Sequence, residues 1–367
     1  SVIPMWVADM NFATVPTIPA AIIERAQHPL YGYFATPDAY YQAIIAWQRD
    51  RNGVTDLPKE AIGYENGVLG GVMSALGCLA APGDAVLVHS PTYIGFTRTL
   101  ESNGYRIIHS PLHRDENGVW RMDFDDMDRL LKQHHIHAAI FCSPHNPCGR
   151  VWERWEVERA MEVYRANDVT VISDEIWSDI LLNGHKHTPT QSVSEDARQR
   201  TAALYAPSKT FNLAGLQQAT AFCRDRALLD RLEKTLRDAG VVSGNIFGMT
   251  ATEAAFAHGD AWLDAMLDYV AEGYAIFREE MEARLPGAVL TPLEATYLGW
   301  LDLRAWGLTT AQLMERTRAA GVEFTPGTFF GADAGEGFLR VNLACPHERV
   351  RLAAEQIERA LKQQDEK

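Results

Sequence analysis

The chain has no long apolar run, few cysteines and a deficit of positive charge. The longest uncharged stretch with helical potential runs from Val68 to Pro82. It is too short and too rich in glycine to cross a bilayer, which takes about 20 apolar residues. No charged-then-apolar leader pattern opens the sequence. The five cysteines are scattered and odd in number, and Cys142 and Cys223 sit inside apolar runs. That argues against a disulfide framework and for free thiols in a reducing cytosol. With 34 basic against 48 acidic residues the formal charge is −14. Without a local basic patch, such a chain repels phosphate backbones, so nucleic acid is not an expected partner. His134, His135 and His137 have no cysteine or carboxylate partners at ligand spacing, nor do His185 and His187. No metal site is expected.

What the chain does have is 367 residues, 47% of them hydrophobic. That is material for two domains at about 100–200 residues each. Short β-branched runs alternate with helical patterns. The expected strands are 62–64, 86–89, 106–109, 138–142, 169–173, 202–205 and 218–223. Between them, Val157, Ala160, Met161 and Tyr164 recur at helical spacing. The alternation predicts a seven-stranded, mostly parallel α/β sheet with helices on both faces. After about residue 260 the pattern changes. One long helix, marked by Trp262, Met266, Val270 and Phe277, ends at Leu285-Pro286-Gly287. A smaller α+β unit follows, with strands near 297–303 and 338–343, a helix near 309–320 and a last helix from His347. The division is a large domain over 40–260 and a small one from 1–39 with 261–367.

Ligands of open α/β sheets bind beyond the carboxyl ends of the strands, and four segments follow strand ends in order. Glu65-Asn66-Gly67-Val68-Leu69-Gly70-Gly71 opens a helix. It suits a phosphate on free N–H groups, or simply a glycine-rich turn packed on the sheet. Ser143 to Arg150 (SPHNPCGR) presents Asn146. Its amide either donates to a phenolate oxygen or satisfies its own turn. In Ser173-Asp174-Glu175, a buried Asp174 needs a cation. A protonated pyridine nitrogen, an ion pair or a helix cap would each serve. Lys209, in Ala206-Pro207-Ser208-Lys209-Thr210-Phe211-Asn212, is a solvated loop lysine or a desolvated Schiff-base lysine. Taken together, phosphate cup, amide, carboxylate and lysine are what pyridoxal 5'-phosphate requires.

These motifs resemble the fold type I pyridoxal-phosphate enzymes of the aminotransferase-like family, and most of all their MalY/PatB branch of cystathionine β-lyases. The likeness runs from Val7-Ala8-Asp9-Met10-Asn11-Phe12 through Tyr31-Gly32-Tyr33, HNPCG, SDEI and SKTFNLAGL to Leu339-Arg340-Val341-Asn342. The resemblance implies that Lys209 carries the cofactor, Asp174 pairs with the pyridinium and Asn146 donates to the ring oxygen. It implies that Tyr93 stacks on the ring, and that Val68, Leu69 and Ser208 hold the phosphate. Arg340 would clamp the substrate carboxylate, with Asp9 in a segment closing over it. Tyr33 would reach the active site of the other subunit of a homodimer. Three positions depart from the pattern. Gln217 replaces a phosphate-binding arginine of ordinary aminotransferases, Ala206 a serine, and Trp177 a Tyr or His that borders the ring. The first points to a carbon–sulfur lyase acting on a small amino acid. An aminotransferase, or a cofactor-bearing protein with a regulatory binding role, are the alternatives.

Overall fold

Apolar runs such as Ala138–Cys142 and Thr201–Tyr205 bury every side chain, as strands covered on both faces must. In the computed structural model, which describes residues 2–362, such runs build one large sheet. In chain order the first strands are β1 (Ile3–Met5), β2 (Ile62–Glu65), β3 (Ala85–Ser90) and β4 (Arg106–Pro111). They are followed by β5 (Ala138–Cys142), β6 (Thr170–Asp174), β7 (Thr201–Tyr205) and β8 (Ala219–Cys223). The large sheet has the order β2-β8-β7-β6-β5-β3-β4. All its pairings are parallel except those of β8, which runs against both β2 and β7. The carboxyl ends of β2, β5, β6 and β7 therefore share one edge. So does the start of β8.

The seven expected strands are all present in this sheet. The expected 169–173 strand shifts by one residue, because pairing with β5 runs from Ala138 against Thr170 to Cys142 against Asp174. Asp174 is thereby the last residue of β6. The expected 218–223 strand begins at Ala219. The helix Arg154–Ala166 buries Val157, Ala160, Met161 and Tyr164, and a capping box of Glu153 and Glu156 starts it. The long helix is Asp260–Arg284, ending just before Leu285-Pro286-Gly287.

A second sheet takes β9 (Val289–Leu290), β10 (Leu298–Asp302), β11 (Val322–Pro326) and β12 (Phe338–Asn342), with β1 added at its edge. Its order is β1-β11-β12-β10-β9. Strands β1, β9 and β11 were not expected from sequence. They are short, and β1 gains its partner from more than 300 residues away, Ile3 lying against Val322. The helices Thr17–Gln27 and Asp38–Asn52 lie against the helix Ile246–His258. No described helix is long and apolar enough to cross a membrane.

One buried carboxylate ties the large sheet to the turn after β7. Asp179 accepts from the Trp47 indole N–H at 3.1 Å, the Thr210 hydroxyl at 2.8 Å and the Tyr205 hydroxyl. Thr210 follows Lys209 directly. Asp179→Ala would leave three buried donors without an acceptor, at a cost of about 1–3 kcal/mol for each donor left bare. The urea midpoint of Asp179→Ala, followed by circular dichroism, should fall clearly below that of the parent chain; an equal midpoint would refute this role.

Candidate active site

The anion cradle forms where β2 ends. Gly67 takes a φ of +76° and caps the helix Val68–Leu79. The N–H of Gly71 is the first to bond back into the helix, to the Gly67 carbonyl. The N–H groups of Val68, Leu69 and Gly70 are therefore free, at the positive end of the helix dipole. They line a cavity of about 200 Å³. Ser208, Lys209 and Gln217 line it from across the sheet edge. A Cβ on Gly67 would come within 3.0 Å of the Gln217 side-chain oxygen, so glycine is required there by both conformation and space.

The floor of the cavity comes from β5 and β6. Ser143 donates to the Asp174 carbonyl at 2.9 Å, and His145 is held by Arg150 and by the Pro91 carbonyl. This pins the loop that presents Asn146, which is 3% exposed. Its Oδ1 accepts from Arg340 Nη1 at 3.3 Å. Its Nδ2 donates to no protein group among the described residues and remains for a ligand in the cavity. Asp174 is also 3% exposed. It accepts one bond, from the Ile176 N–H at 3.0 Å, and forms no ion pair among the described residues. Burial pushes its carboxyl up to about 7, against the pull of that N–H and of Lys209. A cation placed in the cavity would hold it ionised. Its neighbour Glu175 is held the other way. Burial raises it, but His187 at 3.0 Å and the Thr190 N–H outweigh burial and keep it below its ordinary value.

Tyr93 and Trp177 supply aromatic walls. Tyr93 packs edge-on to Phe96, and Trp177 packs edge-on to Tyr297 at 5.0 Å. Trp177 thus both lines the cavity and belongs to the core. Lys209 enters from the turn after β7, its Nζ 5.8 Å from the centre of the Trp177 ring and donating to the Ala8 carbonyl at 2.7 Å. Burial, then the charge of Arg340, push the amine down to about 8, while Asp9 and Asp174 oppose the shift.

The remaining expected residues stand further out. Arg340, on β12, lies behind Asn146 and is not among the lining groups. Its Nη2 donates to the Trp6 carbonyl at 3.0 Å and to Thr325, and its guanidinium covers Phe330. Burial lowers it to about 10. Asp9 is exposed and does not line the cavity, though its charge reaches Lys209. Tyr33 is 100% exposed and outside the cavity of its own chain. Sequence reasoning missed the Ala8 carbonyl, Tyr297, Asn212 and the Glu175–His187 pair. Only Asn212 carried a signal, as the last residue of SKTFN.

A roomier cleft of about 460 Å³ lies elsewhere, lined by Asp56, Arg198 and Arg224. Those charges are already paired with one another, and neither a lysine nor Asp174 or Asn146 lines it. Lys209, Asp174 and Asn146 all line the smaller cavity. Among the described residues no group of three His, Cys, Asp or Glu is arranged to hold a metal.

Comparison with known proteins agrees with this geometry. The chain is 37% identical over 360 residues to cystathionine beta-lyase PatB of Bacillus subtilis (strain 168), covering 98% of this chain and 92% of that protein. It superposes on cystalysin from Treponema denticola, a structure containing pyridoxal 5'-phosphate, with a TM-score of 0.95. That match has 30% identity and covers 99% of this chain and 92% of the other. A PLP-bound C–S lyase from Staphylococcus hominis matches with a TM-score of 0.91 and 32% identity, over 98% and 91% of the two chains. The profile of aminotransferases class I and II spans residues 2–357, and the chain belongs to that family.

Proposed function

We propose that this chain is a pyridoxal-phosphate-dependent carbon–sulfur β-lyase that cleaves cystathionine or a related cysteine conjugate. The observation that carries the reading is the convergence of four groups on one cavity. They are a helix N-terminus with free N–H groups, a buried carboxyl that forms no ion pair among the described residues, a free amide donor and a desolvated lysine. The residues fit the cofactor. Val68, Leu69 and Ser208 would hold its phosphate, Asn146 its ring oxygen, Asp174 its ring nitrogen and Lys209 its aldehyde carbon. Tyr93 and Trp177 would flank the ring. Gln217 at the cradle, in place of a cation, and the C–S lyases among the similar proteins support a lyase over an aminotransferase.

When bound, the cofactor supplies an electron sink for the pair left at Cα. Lys209 takes the Cα proton. Its amine is uncharged above about pH 8, so it acts as a base without the penalty of an ordinary lysine. Asp174 keeps the ring nitrogen protonated by charge complementarity. Arg340 turns from the Trp6 carbonyl to the substrate carboxylate in a two-point pair and orients the Cα–H bond. The Cβ–S bond then breaks with its electron pair, and the sulfur leaves as a thiol after taking a proton. Water hydrolyses the remaining three-carbon enamine to pyruvate and ammonia.

The same reading takes residues 40–260 as the cofactor domain and 1–39 with 261–367 as the small domain. It also takes the enzyme as a cytoplasmic homodimer with Tyr33 contributing to the partner's site. Exposed apolar side chains at Trp6, Val7, Leu30, Tyr31 and Tyr33 support the dimer. Five free cysteines, four of them buried, support a reducing compartment.

Purified holoenzyme given L-cystathionine, with no keto acid, should release pyruvate and a thiol, and borohydride should fix the chromophore on Lys209. Turnover only on adding a keto acid would instead make it an aminotransferase. Lys209→Ala should lower pyruvate release by more than about 10²-fold, the scale of a lost general base. Uptake of pyridoxal phosphate by the cofactor-free chain needs the uncharged amine. Its rate, followed by absorbance, should rise with pH and level off above about pH 8; a rise continuing to the ordinary lysine value of about 10.4 would contradict the lowered amine. Arg340→Lys keeps the charge but loses the planar fork, so KM for cystathionine should rise by about tenfold or more while kcat changes less.

A further inference from the structure

Beyond Met5 the chain leaves the small sheet and runs irregularly past the cavity. Five consecutive carbonyls of this strap are all engaged by side chains. Trp6 accepts from Thr325 at 2.6 Å and Arg340 at 3.0 Å. Val7 and Asp9 both accept from Asn342 at 2.6 Å. Ala8 accepts from Lys209 at 2.7 Å and the Tyr297 hydroxyl at 3.2 Å, and Met10 from Asn212 at 3.0 Å. Backbone groups of an irregular segment need such partners. Here the partners come from the turn after β7 on one side and from the small sheet on the other.

Two of these donors, Lys209 and Arg340, are the groups that act on substrate in the function proposed above, on which this inference rests. When Arg340 turns to the carboxylate, the strap keeps Lys209 on the Ala8 carbonyl and is otherwise held by Asn212, Asn342, Thr325 and Tyr297. Asn212 alone among these lies on the lysine's own turn, three residues on. It takes a left-handed φ of +58°, which asparagine tolerates. Both ends of its amide meet Met10. Oδ1 accepts the Met10 N–H at 3.0 Å, and Nδ2 donates to the Met10 carbonyl at 3.0 Å and the Phe12 carbonyl at 3.4 Å. That closed pair fixes the strap against the turn two residues from Ala8. The Ala8 carbonyl, by taking one N–H of the amine, gives the nitrogen lone pair a defined direction.

We propose that Asn212 is a positioning residue for the Lys209 amine, acting through Met10 to hold the Ala8 carbonyl where it orients the base. A base misaimed at Cα–H slows proton transfer without changing how substrate binds, and displacements near 1 Å can cost about 10²-fold.

The test compares wild-type holoenzyme with Asn212→Ala and Asn212→Asp, using cystathionine protonated or deuterated at Cα, together with amide hydrogen exchange. In Asn212→Ala, kcat should fall by about tenfold or more and KM should stay within about twofold, less than 0.5 kcal/mol of binding. The α-deuterium isotope effect on kcat should grow. The Met10 amide should lose protection while the Asn11 amide, bonded to the Ala344 carbonyl, keeps it. Asn212→Asp removes the donor and keeps the acceptor, and it should also enlarge the isotope effect. It carries the test if the alanine variant does not fold. A folded variant with an unprotected Met10 amide but wild-type kcat and isotope effect would overturn the inference. So would a loss of kcat with an unchanged isotope effect, since that is a structural role only. Wild-type protein that neither fixes the cofactor nor releases pyruvate would instead remove the underlying function, and this inference with it.

Discussion

Asp174 carries a carboxyl group at the end of a strand buried on both faces. Among the described residues it has one N–H donor and no ion pair, with only the pull of Lys209 beside that N–H to set against its burial. An uncompensated charge there would cost several kcal/mol, and burial raises the carboxyl to about 7. The rest of the site is arranged about the cation that would settle it. The adjacent Glu175 shows that the same strand end can hold a carboxylate firmly ionised when it is given His187, Ser173 and Thr190. The contrast between two neighbouring carboxyls comes from partners alone, since both are buried. Pairing Glu175 inside the protein leaves Asp174 as the acid with something still to bind.

The lysine follows the same logic with the sign reversed. Burial and Arg340 press its amine toward the neutral form, and a single carbonyl on the strap meets its N–H. A fully satisfied ammonium would be a poor nucleophile, and an unpaired one at this depth would cost stability. One neutral acceptor lies between those limits.

Much of this was legible in the sequence because it is local. Lys209, Asp174, Asn146 and the Gly67–Val68–Leu69 turn each follow a strand that announces itself by composition, and the parallel topology brings those strand ends to one edge. The register of β6 slipped by a residue because cross-strand pairing, not its own pattern, sets where it starts. The small sheet was half seen. Strand β1 is three residues long and exists only by pairing with β11 across nearly the whole chain, and β11 is itself set between β1 and β12. The strap carries the Val7–Phe12 motif, but its hold on Lys209 leaves no mark in the sequence, since the acceptor is a backbone carbonyl and no side chain records it. His187 looked like a loop histidine because nothing in its neighbourhood names Glu175, twelve residues before it.

The one reversed strand of the large sheet has an effect of its own. Because β8 runs against its neighbours, its first residues lie at the same edge as the last residues of β2 and β7. The turn carrying Gln217 is thereby inserted between the helix that would hold an anion and the loop that carries the lysine. Gln217 sits in that turn with a left-handed backbone and contributes nothing to the strand ladder. The grip on the anion can thus drift by a change of one side chain while every pairing of the sheet stays as it is. A fold built this way separates the residue that would tune the grip on an anion from the residues that keep it folded.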